Sequence, residues 1–206
     1  MLGAGKILYL RMDFLSAENA DRLADDCKNA AKLQHQPAVV MLDLRNCGGH
    51  DQTTALEIFR MFCPPSRYAV MKEEKEQPTL LDRPVIVLTG SGTRGSAEII
   101  AYLVSISERG LCIGAASAGE PFELRKVELS DGTCLLVPAL PDGGLQSLKP
   151  VPLEPDIKVK SEAQIPYKTL TDKPEAELKD ECIEKAIELV SVIDALKKRR
   201  AGEGDK

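Results

Sequence analysis

The chain contains no tryptophan, and aromatic residues make up only 4% of its 206 residues. Its core must therefore be built from Val, Ile, Leu and Ala. Basic charge is not in excess: 27 Lys and Arg stand against 32 Asp and Glu, a formal net charge of −5. Phosphate binding needs a basic face, so nucleic acid is excluded as a main partner. The basic run Lys197-Lys198-Arg199-Arg200 ends an expected helix, where cations complement the helix dipole. No stretch of about 18 apolar residues is present, so no membrane span is expected. The opening residues Met1-Leu2-Gly3-Ala4-Gly5-Lys6 lack the charged-then-apolar pattern of a signal peptide. The 6 cysteines, at 27, 47, 63, 112, 134 and 182, form no Cys-x-x-Cys pair, so neither zinc nor a thioredoxin-like centre is indicated. Most lie among apolar neighbours, as reduced core thiols do, and a cytoplasmic location is the expectation. Neither a metal nor a cofactor is expected.

The balance of 43% hydrophobic and 29% charged residues is that of a globular protein with one sizeable core. No internal repeat and no strong linker divides the chain, so residues 1–206 read as a single domain. Ile7-Leu8-Tyr9-Leu10-Arg11-Met12 reads as a strand. Ser16 can cap a helix running to about residue 33, with Ala20, Leu23, Ala24, Cys27, Ala30 and Ala31 along one face. The run Ala38-Val39-Val40-Met41-Leu42-Asp43-Leu44 is apolar without alternation, the mark of a strand covered on both sides in a parallel sheet. After Gly48-Gly49 a helix is expected over about 52–62, then a weak strand at 68–71 and a charged loop at 72–78. A buried strand at 85–89, a helix at about 96–108 and a short strand at 111–113 continue the strand–helix alternation of an α/β fold. Residues 122–129 and 133–137, joined by Asp131-Gly132, read as a β-hairpin. The Pro- and Gly-rich stretch to residue 155 is expected to lie extended over the core. A last helix is expected over about 175–200, with an apolar stripe of Leu178, Cys182, Ile183, Ala186, Ile187, Leu189, Val190, Ile193 and Leu196. That stripe suits packing on its own domain, or a homo-oligomer face.

The turn Gly92-Thr93-Arg94-Gly95-Ser96-Ala97-Glu98-Ile99 links a buried strand to a helix. Such a turn can present a nucleophile, and its free backbone N–H groups can hold an oxyanion. Val40-Met41-Leu42-Asp43-Leu44-Arg45-Asn46-Cys47-Gly48-Gly49, Ala97-Glu98-Ile99, Ile113-Gly114, Leu129 with Asp131-Gly132, Leu153-Glu154-Pro155-Asp156-Ile157-Lys158-Val159 and Glu184-Lys185-Ala186-Ile187-Glu188-Leu189 occur in this order. Together they resemble the tail-specific, or C-terminal processing, serine proteases, which share their fold with the Clp protease and crotonase superfamily. The resemblance covers roughly residues 6–193. It implies a mainly parallel sheet with flanking helices, a core of about 6–160, a β-hairpin and a C-terminal helix. It has no counterpart of the PDZ domain that many members carry.

The family's chemistry is a Ser/Lys dyad, in which a desolvated lysine takes the serine proton. Here the resemblance places the serine position at Gly95 and the lysine position at Glu120, in Ser117-Ala118-Gly119-Glu120-Pro121. Glycine offers no nucleophile, and glutamate reverses the charge of the base. The amides of Gly48, Gly49, Gly95 and Ser96 need no side chain, so an oxyanion or carboxylate pocket is expected to survive. The first expectation is a degenerate domain binding a peptide tail or small carboxylate without cleavage. The alternative is an active peptidase using Ser96 as displaced nucleophile, with Lys126 or His50 as base. A third reading is an acyl-CoA enzyme with Glu120 as base. Glu98 reads as a structural carboxylate at the helix start.

Overall fold

The computed structural model describes residues 1–64, 79–141, 145, 148–160 and 179–203. The strand and loop expected at 68–78, and the Leu178 end of the last apolar stripe, lie outside the described residues. Four apolar runs form the strands β1 (Ile7–Arg11), β2 (Val39–Asp43), β3 (Val85–Thr89) and β4 (Gly110–Gly114), and a short β7 (Ile157–Lys158) joins them. They make one five-stranded sheet in the order β1-β2-β3-β4-β7, with every neighbouring pair parallel. All five residues of β3 are buried, and four of the five in β2. Central strands covered on both faces have no solvent side, which is why their sequences do not alternate.

Between the strands run α1 (Ala17–Ala31), α2 (Gln52–Phe62) and α3 (Ser96–Ile106). The Ser16 side chain accepts the N–H of Asn19 to start α1, and Asp51 accepts those of Thr53 and Thr54 to start α2, each satisfying donors that a helix start leaves open. The strand order steps one way from β1 to β4, so crossovers of one hand bring all three helices to the same face. There they bury one apolar cluster with Leu10, Val40, Leu42, Val85 and Val87. The opposite face is covered by α4 (Glu181–Glu203), whose Cys182, Ile183, Ala186 and Val190 pack with Ile7, Met41, Ile86, Leu88 and Ile113. The first half of the C-terminal helix thus packs on its own domain, while Val192, Ile193 and Leu196 remain exposed. No described helix is long and apolar enough to cross a membrane.

Helix α4 begins at Glu181, where Asp180 caps it. Its carboxylate accepts the N–H groups of Cys182 (3.1 Å) and Ile183 (3.2 Å). The same carboxylate takes two bonds from the Arg45 guanidinium, at 2.9 and 2.7 Å. Arg45 also donates to both oxygens of Asp43, at 3.0 and 2.6 Å, and the Tyr9 hydroxyl donates to Asp43 at 2.7 Å. Asp43, Arg45 and Asp180 are 0%, 1% and 2% exposed. Burial alone would push the Asp43 carboxyl up, but the bonds and charge of Arg45 outweigh it and hold the group below its ordinary value. Burial would likewise push Arg45 down, and its two carboxylate partners raise it instead.

Elsewhere the hairpin of β5 (Glu123–Glu128) and β6 (Cys134–Ala139) forms a separate antiparallel pair. Its Asp131-Gly132 turn is closed by Thr133 N–H to Asp131 Oδ1 at 2.8 Å. Side chains 124–138 are all exposed. Five cysteines are buried and Cys134 alone is exposed. Burial pushes the thiols of Cys27, Cys47 and Cys112 up to about 12, so they stay protonated and unreactive.

Asp180→Ala leaves the Arg45 charge buried with half its partners removed and α4 uncapped. The expected loss is about 3–5 kcal/mol of unfolding free energy, read from urea titration. For Asp43 the folded state binds fewer protons than the unfolded chain. Its contribution is therefore present above the unfolded carboxyl value and is lost as pH falls through the folded one. Urea midpoints that decline below about pH 4 in the native chain, and less steeply in Asp43→Asn, are the expected result.

Candidate functional site

Three loops leave the carboxyl ends of β2, β3 and β4 and meet beside the N-terminus of α3. The first carries Gly48, Gly49 and His50, the second runs from Gly90 to Gly95, and the third covers residues 115–121. Thr93, fully buried, ties the second to the first: its hydroxyl donates to Leu44 O at 2.8 Å and accepts Gly90 N–H at 3.0 Å. Arg94 N–H adds a bond to Cys47 O, and Ala118 N–H one to Thr93 O. Thr93 and Ser117 lie in stretches that the sequence singled out, but only their contacts reveal their part in holding the turn.

Glu98 is the hub of the third loop. Its carboxylate accepts the Ser117 hydroxyl, Gly119 N–H at 2.7 Å and Glu120 N–H at 2.7 Å. Ser117 Oγ in turn accepts Leu153 N–H at 2.8 Å, and Ser117 N–H donates to Leu153 O. The extended segment around residue 153 is thereby fastened over the loop. Burial pushes the Glu98 carboxyl up, only partly offset by these bonds. With every partner belonging to the protein, Glu98 holds the loop to α3, as a helix-start carboxylate should.

Gly95 caps α3 with φ +61° and ψ −131°, a conformation that L side chains avoid. A Cβ built there would lie 1.9 Å from Gly49 O and 3.4 Å from His50 Nδ1. The Gly49 carbonyl therefore fills the space that a side chain at residue 95 would need. It is held there by Ser96 N–H at 2.9 Å, while Gly95 N–H donates to Glu120 O at 2.9 Å. Two of the four amides expected to line an anion cradle are thus used within the protein. Gly48 N–H makes a long 3.4 Å bond to Asp13 O. Gly49 N–H has no partner among the described residues and is held in place by close packing: a Cβ on Gly49 would stand 2.5 Å from Leu15 Cβ.

The alternative catalytic residues are not assembled. Ser96 is fully buried and its hydroxyl has no hydrogen-bond partner, so it neither reaches solvent nor meets a base. Lys126 is an exposed residue of β5, with no hydrogen bond or ion pair among the described residues. Glu120 joins the turn through its backbone, while its side chain is exposed and without a partner among the described residues. His50 does reach the site: it is exposed, next to the Cβ position of residue 95, with Nδ1 3.2 Å from Phe122 O. Arg94 lies against Gly48, its Cγ 3.5 Å from where a Cβ would stand. It is exposed, and its guanidinium has no partner among the described residues. Among the described residues, the mouth beside residue 95 thus holds a cation without a partner and an imidazole, and no assembled nucleophile–base pair.

The profile of peptidase family S41 matches residues 6–159. The carboxyl-terminal-processing protease of Synechocystis sp. (strain ATCC 27184 / PCC 6803 / Kazusa) is 30% identical over 138 residues, covering 63% of this chain and 32% of that protein. This chain thus spans about a third of its relative. Among solved structures, the photosystem II D1 C-terminal processing protease is similar, with a TM-score of 0.60 and 21% identity over 74% of this chain and 42% of the other. The tricorn protease gives a TM-score of 0.61 and 18% identity over 95% of this chain and 18% of its own. At these identities the likeness is one of fold.

Gly95→Ser and Gly95→Ala are each expected to lower stability by about 1–3 kcal/mol, the scale of a residue forced into a disallowed conformation. Ser96→Ala, which removes a buried hydroxyl lacking an acceptor, is expected to be neutral or stabilising. Thermal melts of the three variants beside the native chain check both.

Proposed function

This chain belongs to peptidase family S41, and from that premise we propose that it is a tail-specific-protease-like domain that binds a peptide tail or small carboxylate without cleaving it. The observation that carries the reading is the Gly49 carbonyl set 1.9 Å from the Cβ position of residue 95. Acyl transfer needs an atom to attack, a base to take its proton and donors for the oxyanion. At residue 95 there is no attacking atom, the charge at residue 120 is reversed, and a carbonyl acceptor occupies the nucleophile's space.

Binding needs less. A carboxylate is attracted by a guanidinium with no competing partner, and charge-assisted bonds are about twice as strong as neutral ones. Arg94 supplies that group at the mouth, and His50 stands beside it with one ring nitrogen near Phe122 O. The Gly49 N–H, which has no acceptor among the described residues, offers a further donor.

Two measurements test this. A fluorophosphonate probe is expected to leave the protein unlabelled, and free-tailed peptides to be recovered intact by mass spectrometry. Stoichiometric labelling that disappears in Ser96→Ala would instead establish Ser96 as a nucleophile. For recognition, a peptide with a free C-terminal carboxylate is expected to bind more tightly than its amidated form. Arg94→Ala is expected to abolish that difference, a loss of about 1.5–3 kcal/mol for a charged hydrogen bond, measured by calorimetry.

A further inference from the structure

We propose that the outer edge of β1 accepts an extended peptide as an added strand of the sheet, along a cleft that ends beside Gly48. The inference deepens the peptide-binding half of the function proposed above and is independent of whether the chain cleaves.

Strand β1 stands at one end of the sheet order. Met12 N–H bonds inward to Asp43 O, whereas Ile7 exchanges both its main-chain bonds with Leu2 on the outer side, at 2.8 and 3.0 Å. Main-chain groups alternate sides along a strand, so Tyr9, two residues on from Ile7, also turns its N–H and C=O outward. Among the described residues the Leu2 bridge covers this edge only at Ile7.

Beside the edge lies a cleft of about 590 Å³. Its walls include Tyr9 and Arg11 from one face of β1, and Leu10 and Met12 from the other. A cavity above a sheet is lined from one face. This one touches both, so it runs along the edge itself, where a further strand would lie. Leu23 of α1 is part of the same lining, an apolar side against which alternate side chains of an incoming strand can rest.

The far end of the cleft is Phe14, which is 55% exposed and bridges Gly48 in parallel. Leu15 N–H then donates to Gly48 O at 2.7 Å. A strand following β1 is thereby led to the glycine pair and the Arg94 mouth. The cations and carboxylates in the lining, Arg11 and Arg22 against Asp13 and Asp26, balance in number, so the cleft selects no net charge. What it presents, at Tyr9, is outward main-chain hydrogen bonding without a partner among the described residues, and extended polypeptide is the ligand that matches it.

The test uses the full chain and a capped peptide of alternating valine and threonine, followed by amide hydrogen exchange resolved by NMR. A second peptide of identical sequence is N-methylated at alternate residues, which removes the donors of one edge. The expected result is slowed exchange at the Tyr9 amide with the first peptide and loss of that protection with the second. The proposal is overturned if the first peptide fails to bind, if it binds and leaves Tyr9 exchange unchanged, or if the methylated peptide protects Tyr9 equally. Peptide recovered in fragments while Tyr9 is protected would end the non-cleaving reading and leave the edge site standing. Intact peptide with unaltered Tyr9 exchange would do the reverse.

Discussion

The buried guanidinium of Arg45 organises this protein. It lies between two carboxylates that no solvent reaches, one at the end of β2 and one at the start of α4. A charge of that kind is tolerated inside a protein only when its donors are used. Arg45 uses them to tie a strand to a helix far along the chain, with Tyr9 closing the network from β1. The consequence is geometric. The chain segment that leaves β2 is held rigidly before it reaches Gly48 and Gly49, so those glycines meet the turn before α3 at a set distance. A hydrophobic core alone would bury α4 against the sheet; the ionic network also determines its register.

The turn before α3 is built on that frame. Thr93 bonds back to the β2 end, Glu98 gathers the loop after β4, and Ser117 passes the connection to the segment at Leu153. These bonds hold the turn to three other parts of the chain. A carbonyl stands where a side chain would project from residue 95, and the Glu120 side chain faces solvent. The frame of the turn rests on buried main-chain and side-chain bonds, and does not depend on what a side chain at its mouth can do.

Much of the fold was legible in the residues. Unbroken apolar runs marked β2 and β3, the 3-to-4 spacing marked α1, and Asp131-Gly132 marked the hairpin. The order of the quoted motifs pointed to the family that the profile over residues 6–159 shows. Other features were less accessible. The cap of α4 was one of them, since an apolar stripe does not show where a cap interrupts it. Asp180 before Glu181 is an ordinary capping residue, and nothing local tells that it also holds Arg45, 135 residues away. Arg94 and Thr93 lie in the turn that the sequence singled out, yet nothing local tells that one stands exposed beside Gly48 and the other fastens the turn.

Sequence by itself determined the class of fold and the alternation of strands and helices, because periodicity and residue type are local properties of a chain. Only the tertiary structure decided which amides stay open. Gly95 and Ser96 spend theirs on Glu120 O and Gly49 O, partners brought close by folding. It also decided that Ser96 is sealed in the interior and that β1 is the sheet's outer strand. Hydrogen-bond supply and solvent access are properties of packing between distant segments, and those are set when the segments meet.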